Sequence, residues 1–460
     1  MIKNRITRFR ISKLFGYQNV DINFDNRFKI VIGENGLGKT TVLNCLYYLL
    51  DKKFKKLNTI QFSEIELHFS NKSKVIFSKN DLEFYVDRPA KFQSGGFYNS
   101  LKNELKKDDI EKLKIAIKNK KLTEQEKRFF AVETLNNINI KINAPTKFVY
   151  DNIVKFIGEK ESINFQKVID VLDKNITSKI LYFPTYRRIE SQLENLKKQL
   201  KSNNEYYDNP FYEGHDFESS SDEYEDIIQF GMEDVRKKIE SVTDEIRHKS
   251  LVGFSKITGD LLSQLSKEFP NYKFKNSVDK NKLEIILDRV GNSISEDDKL
   301  NIIQYINSGT KTNKGLLYLI DKLIDLYNDQ EVLDLAIKNF AETCNKYLNL
   351  KNFRYNESSI KLEIIRENSS DIIKLEQLSS GEKQIVSLFS KIYLDLNKSF
   401  IVLFDEPELS LSIDWQQKLL PDIIKSEKCN FLFTVTHSPF IYDNSMNEYA
   451  FGLTDYTTFK

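Results

Sequence analysis

The chain has 460 residues, 40% of them apolar and 30% charged, with a formal net charge of +2. That length suits two or three domains around a sizeable core, and a charge so near balance makes no case for a polyanionic partner. No run of about 18 uncharged apolar residues occurs, so no membrane-spanning helix is expected, and Met1-Ile2-Lys3-Asn4-Arg5 leads into strand-like sequence rather than a secretory h-region. Cys45, Cys344 and Cys429 stand alone without disulfide or zinc spacing, as expected in a reducing cytoplasm, and the four histidines are scattered. Lysine is abundant while arginine is scarce, and asparagine and isoleucine are frequent. That is the bias of an AT-rich coding sequence, and it discounts lysine as a sign of DNA binding.

From the N-terminus, Arg8–Ile11, Val20–Phe24, Ile65–Phe69 and Lys74–Phe77 alternate apolar and polar residues, the period of half-buried strands. Phe28–Ile32 is an apolar run that reads as a buried strand, and Thr41–Leu50 reads as a helix. They bracket Gly33-Glu34-Asn35-Gly36-Leu37-Gly38-Lys39-Thr40, a complete phosphate-binding loop in the strand–loop–helix setting that the motif requires. Its glycines let successive backbone N–H groups converge on an anion at a helix N-terminus. Lys39 then reaches the β- and γ-phosphates, and the Thr40 hydroxyl takes a Mg²⁺ position. A tight glycine turn is the bland alternative. Every fixed position is present, however, and the sequence predicts a nucleoside triphosphate site running from Gly33 through Thr41.

Gly95-Gly96 ends the strand-rich lobe, and Leu101 to about Leu172 is charged and helical in period. Ile180–Phe183 returns briefly to strand and closes at Pro184. Ile189, Leu193, Leu196 and Leu200 carry the 3-4 spacing of a short coiled-coil seam, about two heptads long. Asn203–Asp226 reads as a mobile loop. Helical period resumes near Ile227 and runs to about Leu348, with a hairpin expected around Pro270–Asp288. The expected plan is an α/β core over residues 1–95, 176–190 and 349–460, split by helical insertions over 96–175 and 191–348. Lys102–Arg128 is lysine-heavy and Glu213–Asp226 carries only acidic charge. Solvated faces explain both, and docking surfaces are the functional alternative.

In the last hundred residues, the buried strand Phe400–Phe404 ends in Asp405-Glu406-Pro407-Glu408. A carboxylate there is placed to bind Mg²⁺, the role expected of Asp405, and a second beside it, Glu406, can polarise an attacking water. A further strand, Phe431–Thr436, ends in His437-Ser438-Pro439, where His437 can contact a γ-phosphate. Between these and the loop lies Leu378-Ser379-Ser380-Gly381-Glu382-Lys383-Gln384. Ser379-x-x-Glu382 is a capping box that would start any helix, and a helix start rich in Ser and Gly also suits an anion.

The order phosphate loop, Leu-Ser-x-Gly-Glu, apolar-Asp-Glu-Pro and Thr-His-Ser resembles the ABC-type ATPase heads. The resemblance implies an α/β P-loop head of the SMC and OLD kind, split by largely helical insertions with a short coiled coil. It implies ATP and Mg²⁺ as ligands and a homodimer closed by an ATP sandwich, or a higher homo-oligomer. Ser379, Ser380 and Gly381 would then bind ATP held by the opposite subunit, Glu406 would be the catalytic base and His437 the switch residue. Leu409-Ser410-Leu411-Ser412 would sit at the dimer seam. The signature departs from the transporter-type Leu-Ser-Gly-Gly-Gln. The contexts of Gln61 and Gln166 do not suit a Q-loop, and Tyr182–Glu190 takes that topological place, with the roles of Arg187 and Arg188 open.

Lys13–Val20, Pro184–Glu190 and Phe230–Val235 are similar to a narrower group, the ATPase subunits of bacterial anti-phage systems related to the overcoming-lysogeny-defect (OLD) nucleases. Relatives there carry a C-terminal Toprim nuclease, whereas only 23 residues follow His437. The resemblance therefore implies a cytoplasmic ATPase without nuclease activity of its own, a separate nuclease subunit and a phage protein as trigger. A PARIS-like system with a Toprim partner fits best and a Septu-type system with an HNH partner next. DNA is a possible ligand but not a required one, and a DNA-maintenance ATPase like SMC or RecF is the alternative from another class.

Overall fold

The computed structural model describes residues 4–34, 36–86, 101, 104–119, 122–138, 145–161, 165–185, 231–266, 274, 279–291, 294–307, 312–369, 371–396 and 398–459. The N-terminal alternation builds an antiparallel pair, β1 (Ile6–Leu14) and β2 (Gln18–Asn23). Phe9, Ile11, Val20 and Ile22 face inward, while Arg8, Arg10 and Asp21 lie on the outer face. The apolar β3 (Phe28–Ile32) leads into α1 (Lys39–Leu50), and α2 (Phe54–Asn58) follows. β4 (Glu64–Phe69) and β5 (Lys74–Ser78) extend the antiparallel sheet, and α3 (Lys79–Val86) caps it.

The first insertion is helical. α4 (Lys107–Lys118), α5 (Glu124–Asn137) and α6 (Thr146–Glu161) share a small core of their own around Leu113, Leu135, Val149 and Phe156. α7 (Phe165–Asn175) instead buries Phe165, Val168 and Leu172 in the N-terminal lobe, with the Phe165 ring 5.0 Å from Phe54 and 5.2 Å from Phe77. β6 (Lys179–Phe183) follows it.

The second insertion is built on two long helices, α8 (Met232–Leu265) and α11 (Lys314–Asn345), with α9 (Lys280–Arg289) and α10 (Glu296–Asn307) between them. α8 and α11 run antiparallel, with Ser250 against Gln330 and Gly253 against Leu326. At 1.5 Å per residue, 34 residues make a helix about 50 Å long. Within the segment expected to form a hairpin, Lys280–Asp288 belong to helix α9. Leu283, Ile286 and Leu287 fall at helical spacing and bury against Leu317, Ile320 and Ile324. The seam at Ile189, Leu193, Leu196 and Leu200 and the acidic run Glu213–Asp226 lie outside the described residues.

β7 (Lys351–Asn356), β8 (Lys361–Arg366) and β9 (Ile372–Ile373) form a small antiparallel sheet ahead of α12 (Ser380–Leu394). The chain then lays down β10 (Phe400–Asp405), α13 (Ile413–Lys425), β11 (Cys429–Thr436), β12 (Ala450–Gly452) and β13 (Thr457–Phe459). β13 joins the antiparallel sheet, in the order β13-β2-β1-β4-β5. The others complete a parallel sheet in the order β12-β3-β11-β10-β6.

Both faces of that parallel sheet are covered, which is why its strands read as unbroken apolar runs. Ile401, Leu403, Phe431 and Phe433 pack toward α1 and the antiparallel sheet. Val402, Phe404 and Leu432 pack toward α12 and the roots of α8 and α11. Pairing of Val31 with Val435 and of Asp405 with Val435 brings the ends of β3, β11 and β10 level. The end of β3 thus meets those of β10 and β11, hundreds of residues further along the chain, at one edge. No described helix is long and apolar enough to cross a membrane.

Candidate functional site

The phosphate loop leaves β3 at that edge. Gly36 and Gly38 have φ of +88° and +82°, the left-handed region that glycine enters without strain. At Gly38 a Cβ would also crowd the Phe15 ring, 3.0 Å from its Cε2. The Gln18 amide, 1% exposed, donates to the Leu37 carbonyl at 3.1 Å and pins the loop to β2. Asn35 lies outside the described residues.

Lys39 opens α1 and is 6% exposed. Its Nζ donates to the carbonyls of Gly33 and Glu34, each at 2.8 Å, and lies 2.7 Å from Nε2 of His437. Burial pulls the ammonium below its ordinary pKa, against the charges of Glu406, Asp405 and Glu408. Beside it the Thr40 hydroxyl donates to Oδ1 of Asp405 at 2.9 Å, and Asp405 is 1% exposed. Glu406 takes a left-handed φ of +48°, with Oε1 3.7 Å from His437 Nε2. Lys39, Thr40, Asp405, Glu406 and His437 therefore form one contiguous cluster at the ends of β3, β10 and β11.

These residues fit a nucleotide and its divalent ion. A desolvated ammonium held by neutral carbonyls is complementary to phosphate. The hydroxyl of Thr40 and the carboxylate of Asp405 are hard oxygen donors a hydrogen bond apart, the donor type that Mg²⁺ prefers. Among the described residues no group of three or more His, Cys, Asp or Glu forms a metal cluster.

The expected signature residues Ser379, Ser380 and Gly381 sit outside this cluster. Ser379 is the N-cap of α12, and both halves of the expected capping box with Glu382 are made. Ser379 and Ser380 are exposed, whereas Gly381 is buried, and a Cβ on it would stand 2.7 Å from the Ser410 carbonyl oxygen. Only glycine lets the helix start approach the turn after β10 so closely. Ser410 and Ser412 are exposed and Leu411 is buried.

Gln166 pairs with Asp170 on α7, and Gln61 accepts the Phe15 N–H through its backbone. Neither residue is in the cluster. β6 lies beside β10 in parallel, so Tyr182 and Phe183 flank Leu403 and Phe404, and the Tyr182 hydroxyl donates to Asn44 of α1 at 2.7 Å. Arg187 and Arg188 lie outside the described residues. Sequence reasoning missed Gln18 and Glu408, which meet the site through bonds to distant backbone, and Gln416, which meets it through the Ser438 hydroxyl. It also missed Lys351, whose Nζ lies 2.8 and 2.7 Å from the two carboxylate oxygens of Glu382.

A profile of the AAA ATPase domain matches residues 5–442. The chain belongs to the AAA ATPase domain family. The DNA replication and repair protein RecF of Agathobacter rectalis is 33% identical over 86 residues, 18% of this chain and 23% of RecF, so the match spans under a quarter of that relative's length. Among solved structures, an SmcHead bound to the C-winged helix domain of ScpA has 10% identity, covers 97% of this chain and 93% of its own, and gives a TM-score of 0.33. The Smc head domain with an extended coiled coil derived from Pyrococcus furiosus, bound to the C-terminal domain of ScpA, has 12% identity, 98% and 93% coverage and a TM-score of 0.34. The corresponding values for the Smc head with a coiled coil and joint from Pyrococcus yayanosii are 15%, 98%, 95% and 0.33. This AAA ATPase has an α/β head built on a parallel sheet with a phosphate loop, interrupted by helical insertions.

Helix α12 carries a pH dependence. Burial would raise the pKa of Glu382, but the Lys351 bond and the Ser379 cap outweigh it and hold the carboxylate below its usual 4.5. A lowered folded-state value gives stability that is present above the unfolded pKa and lost as pH falls through the folded one. Hydrogen exchange at the N-terminus of α12 should accelerate as pH drops below about 4.5, after correction for intrinsic rates. In Glu382→Gln that extra acceleration should be absent. Equal acid sensitivity in the two proteins contradicts the assignment.

Proposed function

We propose that this chain is the ATP-hydrolysing sensor and scaffold subunit of an anti-phage complex, in which it holds a separate nuclease and releases or activates it when a phage protein is sensed. The observation that carries the hydrolytic part is the contact of Lys39 with His437, with Glu406 3.7 Å further on and Thr40 bonded to Asp405. Loop N–H groups bind the phosphates, and Lys39 exchanges its carbonyl partners for phosphate oxygens. Glu406 takes a proton from the attacking water, and His437 holds its place between base and ammonium. Thr40 and Asp405 would hold Mg²⁺, which when bound neutralises charge on the β- and γ-phosphates. Ser379, exposed at a helix start outside this cluster, and the buried Gly381 behind it complete the site of a second subunit.

Output through a partner is supported by the similarity of Lys13–Val20, Pro184–Glu190 and Phe230–Val235 to the anti-phage ATPases. The independent core of α4–α6 adds to this, because ATP chemistry does not require that unit. Lys102–Arg128 and the acidic Glu213–Asp226 are the proposed docking surfaces. PARIS-type architecture with a Toprim partner is the first choice and Septu with an HNH partner the second. The RecF match favours a second reading, in which the same head serves DNA maintenance. Strongly salt-dependent affinity for duplex DNA would mark that reading.

Glu406→Gln should keep ATP affinity yet lose turnover by about 10²- to 10⁴-fold, the contribution of a general base, and accumulate as a closed dimer. Lys39→Ala should weaken nucleotide binding itself. Phosphate release and nucleotide titration separate the two, and near-normal turnover in Glu406→Gln overturns the base assignment.

In infection assays, protection should require both this chain and a co-encoded nuclease, and Glu406→Gln should abolish it. Purified chain should hydrolyse ATP and leave DNA and RNA intact. Protection by this chain alone, or cleavage of nucleic acid by it, contradicts the sensor-and-scaffold reading.

A further inference from the structure

Beyond the cluster that faces the phosphate loop, one carboxylate grips the backbone that carries His437. Glu408 follows the left-handed turn at Glu406. Its Oε2 accepts the Thr436 hydroxyl at 2.7 Å, and its Oε1 accepts the backbone N–H of His437 at 2.8 Å and of Ser438 at 3.1 Å. Three donors from three consecutive residues converge on one side chain. A carboxylate is an acceptor only, so it meets all three without a mismatched proton. Its charge also acts on Lys39 across the site.

Gln416, in the first turn of α13, makes a second tie. Its Oε1 accepts the Ser438 hydroxyl at 2.6 Å, and its Nε2 donates to the Leu411 carbonyl at 3.0 Å. The imidazole reaches Lys39 and Glu406 only if the last residues of β11 stay where these two side chains hold them.

The geometry points to Glu408 as the positioning residue of the switch histidine: it acts on ATP turnover through His437, by fixing the backbone from Thr436 to Ser438. This rests on the reading that His437 serves ATP hydrolysis. Glu408 touches no reacting atom, so it governs kcat far more than nucleotide affinity. The glutamine isostere keeps an oxygen for the two N–H groups, and the Thr436 hydroxyl can turn to accept from the new amide. Glu408→Gln should therefore retain most of the function.

The test uses the full chain, with phosphate release measured across ATP concentrations and binding of a fluorescent non-hydrolysable ATP analogue. Glu408→Ala should lower kcat by about 10- to 100-fold while analogue affinity stays within about threefold, and Glu408→Gln should recover most of the loss. In a His437→Ala background, Glu408→Ala should cost less than about twofold more, since residues acting as a unit are not additive. Full additivity, or an affinity loss matching the kcat loss, overturns the positioning role. If His437→Ala leaves wild-type turnover intact, the underlying reading of the site fails, and the proposal with it. Should Glu408→Ala not fold, Thr436→Val removes one of the three donors at constant volume and should shift kcat in the same direction.

Discussion

Parallel pairing of β11 with β3 on one side and β10 on the other is the constraint on which the rest of this molecule depends. The β3–β11 ladder joins segments that hundreds of residues separate, and the loop-closure entropy of that separation must be met by burial. Two apolar layers supply it, one built from α1 and the antiparallel sheet and the other from α12, α8 and α11. With register set by those layers, the strand ends deliver Gly33, Glu406 and His437 to one edge without further adjustment. A shift of one residue in β11 would turn Phe433 and Val435 away from their layer, so the apolar faces that stabilise the sheet also aim the histidine.

Electrostatic frustration at this edge supplies the chemistry. Lys39 is desolvated, bonded to two neutral carbonyls and a histidine, and faced by three carboxylates that favour its charge. An arrangement of this kind is poised for an anionic ligand, because phosphate oxygens replace partners that only partly compensate the buried charge. Asp405 is equally buried and shares the Thr40 hydroxyl, which keeps two oxygen donors oriented. The left-handed backbone at Glu406 is the local strain that such sites tolerate when the surrounding sheet over-determines the turn.

Features encoded in short stretches were legible in the sequence. The phosphate loop, the apolar runs of β3, β10 and β11 and the Ser379–Glu382 capping box each depend on neighbours within a few residues, and the α/β head with helical insertions follows from their order. Features set by distant partners were not legible. Glu408 in a run of exposed-looking acidic residues gives no sign that it binds the backbone 29 positions on. Gln18 alternates normally in β2 yet holds the phosphate loop. A hairpin was expected around Pro270–Asp288, but Leu283, Ile286 and Leu287 carry helical spacing, and burial against α11 decides for helix α9. Helical period in α7 was read correctly, while its packing in the N-terminal lobe depends on Phe54 and Phe77, far behind it in the chain.

The central claim is that the chemistry of one subunit is completed by the signature of another. Within the subunit, Gly381 packs on Ser410 and Glu382 on Lys351, so the exposed Ser379–Ser380 start faces away from those contacts. The most direct measurement mixes Ser379→Arg protein with Lys39→Ala protein, each inactive alone, and follows phosphate release. A shared site predicts partial recovery, because the heterodimer regains one site with an intact loop from the first protein and an intact signature from the second. No recovery, with heterodimers demonstrated in the same mixture, would contradict it.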